Sequence, residues 1–188
     1  MTKKVLVLLA HPVLERSRVN RRLAEAAAAL EHVTVHDLYE AYPTLAIDVR
    51  REQELLLQHD VIVFQHPFYW YSSPAIVKEW QDLVLEHGWA YGPKKALAGK
   101  LTFNAVTTGG PAAAYRREGA NRFTVEELLA PFDQTAYLCG MRYLAPFVVH
   151  ASLLLETEEQ VKPYADAYRE RLERVARGDL DGIEGPHH

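Results

Sequence analysis

Short apolar runs alternate along this chain with longer amphipathic segments, and that alternation narrows the possible folds more than any other feature. Residues 5–10 (VLVLLA) are apolar throughout, as in a parallel strand covered on both faces. Residues 33–38, 61–65, 101–107 and 143–150 read as four further strands. His66-Pro67 stops the third, and Pro146 interrupts the fifth, which suits an edge or a bulge. Between the strands lie five helical segments. Ser17 caps an alanine-rich helix to about residue 30, and Asp48 caps one to about residue 59. Ser73-Pro74 starts a third, ending at Gly88. Thr124-Val125-Glu126-Glu127 has the form of a capping box for a fourth, running to about residue 138. The last covers roughly 163–177 and stops at Gly178. Five strands alternating with five helices predict an α/β fold, an open parallel sheet with helices on both faces.

The 188 residues fit one compact domain, 1–188, with no repeat or linker. A formal net charge of −4 gives no global basic field, which argues against nucleic acid as a partner. The single cysteine, Cys139, forms no internal disulfide, and no Cys/His set predicts a metal site. That usage fits a reducing, cytoplasmic setting. The lysines and apolar run at the amino terminus resemble a short signal peptide, but His11, Pro12 and charged residues follow instead of a small-residue cleavage site. No apolar stretch has the length of a membrane span. The final Gly185-Pro186-His187-His188 resembles a tag remnant and carries no weight in this reading.

In an open parallel sheet, ligands bind beyond the carboxyl ends of the strands, where strand order reverses. Three loops therefore matter. The first, residues 10–20, leads into a helix amino terminus, where free amides and the helix dipole favour an anion. Ser17 and Asn20 add hydrogen-bonding groups, Arg16 and Arg18 positive charge, and His11 a donor at the strand end. A purely structural role, with Ser17 as cap, accounts for the same residues. No GxGxxG or GxxxxGK[ST] pattern is present. The second loop carries Pro67 and four consecutive aromatics, Phe68, Tyr69, Trp70 and Tyr71. Such a run suits a planar ring system, a subunit interface, or both. The third, Thr107-Thr108-Gly109-Gly110-Pro111, has paired glycines that allow close backbone approach to a ligand. Tyr115 and Asn121 follow and could orient a carbonyl acceptor. No paired carboxylates and no GxSxG elbow favour a hydrolase.

Taken together, LVLLAHP, HDLY, REQELL, VIVFQHPFYWYSSPA, VKEW, HGWAYG, LAGK and TTGG resemble the flavodoxin-like NAD(P)H:quinone oxidoreductase family over nearly the whole chain. The resemblance is strongest to a bacterial branch, the ancillary proteins of the glutathione-regulated potassium-efflux systems. It implies a flavodoxin-like five-stranded sheet of order 2-1-3-4-5. It implies an FMN phosphate held by His11, Ser17, Arg18, Val19 and Asn20. The flavin ring would lie along Pro67, Phe68, Tyr69, Trp70 and Tyr71, with its pyrimidine side at Thr107, Thr108, Gly109 and Gly110. FMN is favoured over FAD because the chain lacks the long carboxyl-terminal extension of the mammalian FAD-binding relatives.

The implied activity is a two-stage exchange, with NADH or NADPH as hydride donor and a quinone as acceptor. Tyr115 matches a family tyrosine implicated in that step; Asn121 stands where the family has a histidine. An amide cannot take up a proton as imidazole does. The resemblance also implies a homodimer with the site near its interface. A rival implication is an FMN-binding regulatory subunit, docked on a potassium-efflux transporter at the inner face of the cell membrane. Azo- or nitro-reduction and single-electron carriage are further alternatives on the same flavin.

Overall fold

The computed structural model describes residues 2–185; Pro186, His187 and His188 of the tag-like tail lie outside the described residues. Its sheet is built from β1 (Val5–Leu9), β2 (Val33–Asp37), β3 (Val61–Pro67) and β4 (Leu101–Thr107), with β5 (Arg142–Tyr143) and β6 (Phe147–Val149). The order is β2-β1-β3-β4-β5, and β6 also pairs with β4. Every ladder is parallel. The expected fifth strand is thus split around Pro146 into two short pieces on one edge of β4, where a missing amide is tolerated.

Alternate strand residues face opposite layers. Val5, Val7, Val61, Val63, Leu101 and Phe103 pack in one core with α1 (Arg18–Ala28) and α7 (Glu158–Arg177). Leu6, Leu8, Ile62 and Phe64 pack in the other. That second face carries α2 (Leu38–Ala41), α3 (Val49–Gln58), α4 (Ala75–Val84), α5 (Val125–Leu128) and α6 (Ala130–Leu138). Among the described residues, no helix is long and apolar enough to cross a membrane.

Several elements differ from the sequence reading. The short α2 was not expected; Asp37 nucleates it, its carboxylate accepting from the amides of Tyr39 and Glu40. The strand β3 runs through His66-Pro67. Beyond Leu9↔Gln65 it has no β1 neighbour, so Pro67 forfeits no ladder bond on that side while still pairing with Thr107. The helix α4 ends at Val84, where the Gln53 amide donates to the Val84 carbonyl (3.1 Å); Gly88 lies in the following turn. The expected helix to residue 138 breaks after α5, because Pro131 has no amide for the carbonyl four residues back. The last helix starts at Glu158, not near Pro163, behind a capping box of Thr157 and Gln160. Pro163 sits on its exposed face, where the unmatched carbonyl can meet water.

Candidate functional site

Loops after β1, β3, β4 and β6 meet at the carboxyl edge of the sheet around an open cleft of about 750 Å³. One end of the cleft is the start of α1. Ser17 caps it, its hydroxyl accepting from the Asn20 amide (3.3 Å) and from the Asn20 side chain (3.2 Å). Amides in a helix's first turn lack intrahelical partners and carry the positive end of the dipole, so those of Arg18 and Val19 suit a negatively charged group. Arg16 and His11 line the same end.

The ring of His11 has a defined proton arrangement. Its Nδ1 accepts from the Val13 amide (3.2 Å), which leaves the proton on Nε2 as a donor. Burial lowers its pKa, against the pull of Asp37 and Glu15, so the ring is neutral at pH 7.

The floor joins the layers. Asn20 donates to Thr107 Oγ1 (2.9 Å), and Gln65 donates to the Asn20 carbonyl (2.9 Å). Gln65 and Thr107 fall on the same sheet face as Val63 and Ala105, the face that α1 covers, so Asn20 meets Thr107 with its side chain and Gln65 with its main-chain carbonyl. Among the described residues, Asn20 Oδ1 and Gln65 Oε1 are buried acceptors without a hydrogen-bond partner, an arrangement that costs free energy.

The wall is the aromatic loop. Tyr69 to Ser72 closes a hairpin turn through Ser72 N–H to Tyr69 O (3.0 Å). Its two central residues, Trp70 (φ 48°) and Tyr71 (φ 63°), are both left-handed. Such turns favour glycine or asparagine at these positions. Two bulky aromatics here store strain of order 1–3 kcal/mol each, and Trp70 is nonetheless 92 % exposed. His11 meets Tyr69 edge-on, with ring centroids 6.2 Å apart.

A second pocket of about 310 Å³ continues the cleft, sharing Phe68, Trp70 and Gly109 with it. Tyr71, Gly110, Ala114, Tyr115 and Asn121 complete it. Tyr71 donates to Asn121 Oδ1 (3.3 Å). Burial raises the Tyr115 pKa against the opposing Thr108 hydroxyl, so this phenol keeps its proton at neutral pH.

Of the residues named from sequence, His11, Ser17, Asn20, Pro67, Phe68, Tyr69, Trp70, Thr107 and Gly109 line the cleft. Tyr71, Gly110, Tyr115 and Asn121 line its continuation. Three others do not present side chains there. Arg18 donates to the Leu155 carbonyl (3.1 Å), Val19 is buried in the α1–α7 core, and Thr108 is fully buried beneath the glycine turn. Ser152 and Leu153, after β6, also line the cleft and were not singled out. Their signal was available, because the fifth strand's loop also lies at the carboxyl edge. Among the described residues, no group of three or more His, Cys, Asp or Glu side chains could hold a metal.

The sequence profile of a family described as having the flavodoxin-like fold matches residues 3–172. The chain belongs to that family. It is 48 % identical over 172 residues to the glutathione-regulated potassium-efflux system ancillary protein KefG of Enterobacter sp. (strain 638), covering 91 % of this chain and 93 % of that protein. Among solved structures it is similar to general stress protein 14 of Treponema denticola in complex with FMN (42 % identity, TM-score 0.77, 95 % of this chain and 96 % of that one). An NADPH-quinone reductase from P. pentosaceus is 36 % identical with a TM-score of 0.81, over 92 % of this chain and 97 % of that one. A structure described as a thermophilic tryptophan halogenase from Streptomycin violaceusniger is 44 % identical with a TM-score of 0.84, over 88 % and 96 %. Four differently named proteins share this fold, so function has to be argued from the site.

Proposed function

We propose that the chain binds FMN and is an NAD(P)H:quinone oxidoreductase working by two-stage exchange. The observation that carries this reading is the convergence of a helix-terminus anion site, an aromatic wall and a glycine turn on one cleft. Its volume lies within the usual range for cofactor sites, roughly 300–1,000 Å³. The donors suit the group: Ser17, Arg16 and the first-turn amides for a phosphate, with His11 Nε2–H beside them. The orphaned acceptor Asn20 Oδ1 suits a hydroxylated linker that brings its own donors. Bound FMN supplies the two-electron chemistry, and the protein supplies binding, orientation and electrostatics.

The chain's own residues then have distinct tasks. Phe68 and Trp70 flank the passage between the two pockets and give a flat ring apolar surface. Gly109 and Gly110 let backbone approach the ring edge closely. Tyr115 holds its phenolic proton and offers it to a carbonyl oxygen of the acceptor. Asn121, which cannot titrate, anchors Tyr71 instead of exchanging a proton. Trp70 and Leu153 at the cleft, with the neighbouring Leu154, expose apolar surface of the kind a second copy would cover, which supports a homodimer.

Similarity to a potassium-efflux ancillary protein favours a second reading, an FMN-binding regulatory subunit docked on a membrane transporter from the cytoplasmic side. Stopped-flow absorbance separates the two. The FMN-loaded protein is mixed anaerobically with NADPH or NADH, then with a benzoquinone. Bleaching of the flavin band followed by quinone-driven recovery is the expected result. A bound flavin that neither nicotinamide reduces sinks the enzymatic reading and leaves the regulatory one.

A further inference from the structure

His150 follows β6 directly, beside the glycine turn and outside the residues that line the cleft. The segment around it clamps that turn. Thr108 N–H donates to Val149 O (2.9 Å), Ala151 N–H to Gly110 O (2.9 Å) and Ser152 N–H to Thr108 O (2.9 Å). The left-handed bend at Ala151 (φ 51°) allows consecutive amides to reach two different carbonyls of the turn. Within the clamp, His150 Nδ1 lies 3.1 Å from Thr108 Oγ1.

Counting hydrogens fixes the direction of that bond. A threonine hydroxyl has one proton, and Thr108 gives it to Gly110 O at 2.8 Å. With both bonds formed, Thr108 Oγ1 accepts from His150, which places the imidazole proton on Nδ1. The chain of donors runs from His150 through Thr108 to Gly110. On its other side the His150 ring packs against Tyr115, centroids 5.5 Å apart and planes tilted by 39°. Both ends of the chain reach residues of the inner pocket, Gly110 and Tyr115. Any Cβ on Gly110 would lie 3.4 Å from the Tyr115 ring, so turn and phenol are already in contact distance.

We propose that His150 is a positioning residue of the acceptor end of the cleft. Its Nδ1–H orients the Thr108 hydroxyl, which fixes the Gly109-Gly110 backbone, and its ring backs Tyr115. The inference rests on the FMN reading above and adds a residue that touches neither cofactor nor acceptor.

Two substitutions separate donor from ring. In His150→Asn the side-chain amide nitrogen takes the place of Nδ1 and keeps the donor, while the ring is lost. In His150→Phe the ring stays against Tyr115 and the donor is lost. Fluorescence titration of the full chain with FMN is the first readout. His150→Phe is expected to raise the FMN Kd about five-fold, one neutral hydrogen bond's worth, while His150→Asn stays within about two-fold of the parent. A merely structural role predicts the reverse order, because losing the ring leaves the larger void. That order, or two variants equal to the parent, overturns the inference. Nitrogen NMR of the imidazoles is the second readout and needs neither activity nor a variant's stability. An Nε2–H tautomer at His150 also overturns it. A parent protein that binds no FMN while His150 is the Nδ1–H tautomer removes the functional reading, and the claim about the acceptor end with it.

Discussion

Two polar clusters lie on this sheet, and they are built in opposite ways. The first centres on Glu52, fully buried on α3. It accepts from Tyr42 Oη (2.6 Å), Trp80 Nε1 (2.7 Å) and His36 Nε2 (2.8 Å). Burial alone would raise this carboxyl's pKa, but the three donors hold it below the usual carboxylate range. The second is the cleft, where Asn20 Oδ1 has no donor among the described residues, Trp70 and Tyr71 share one left-handed turn and Trp70 faces solvent. Satisfied, buried polar groups make a fold specific and rigid; unsatisfied and strained ones persist where a ligand completes them. The contrast fits a stabilising role for Glu52 and the binding role proposed for the cleft.

The largest expected effect comes from breaking the satisfied cluster. Glu52→Ala leaves three buried donors facing a void and should cost about 3–5 kcal/mol of stability. Urea unfolding measures this. Under conditions where the variant is still folded, FMN affinity should stay near that of the parent. A loss of affinity without a loss of stability would merge the two clusters and defeat the comparison.

A third buried group sharpens the same contrast by pH. His66 donates from Nδ1 to the Pro67 carbonyl (3.0 Å), while its Nε2 accepts from Asn104, whose Oδ1 takes the Tyr143 hydroxyl proton (2.7 Å). Burial pushes its pKa down to about 4 from an ordinary 6.5. Between those values the unfolded chain binds a proton that the folded chain refuses, so stability rises with pH across the window. Falling from pH 6.5 to about 4 should therefore cost roughly 3 kcal/mol. His11 and His150, also shifted down by burial, act in the same direction. The measurement is the difference between the parent and His66→Gln, followed by urea midpoint against pH. Equal slopes for the two proteins would show that His66 is not the group refusing the proton.

These clusters also mark what the sequence did and did not disclose. The buried run at 5–10 read correctly because both faces of that parallel strand are apolar, and composition alone reports it. The same property concealed His66 and Asn104, whose partners lie across the sheet and have no local spacing. Glu52 looked like an ordinary charge on an amphipathic helix, since its three donors come from β2, from Tyr42 just past α2 and from α4. In the cleft, Ser17, the aromatic run and TTGG were legible because each is contiguous and sits at a strand end. His150 was not, because its meaning depends on lying beside Thr108, a contact set by the β4–β6 register. Local chemistry is written in the sequence, whereas chemistry assembled across strands waits for the fold.

The smallest expected effect is the one with opposite signs on the two properties. In Trp70→Gly, a residue with no left-handed penalty takes a position held at φ 48°. The lost side chain was 92 % exposed, so little burial is forfeited. Glycine's greater freedom in the unfolded chain offsets part of the relieved strain, which leaves a net gain in stability of about 0.5 kcal/mol. FMN binding should weaken about ten-fold, because the flat wall between the two pockets is gone. Thermal unfolding without FMN and fluorescence titration with it read the two quantities separately. A variant less stable than the parent without FMN would mean that the turn is not strained, and that Trp70 is held by packing as Glu52 is. A variant more stable yet equal in FMN affinity would leave the strain real but without a binding role. Only a gain in stability together with a loss of affinity agrees with an aromatic turn held open for a planar ligand.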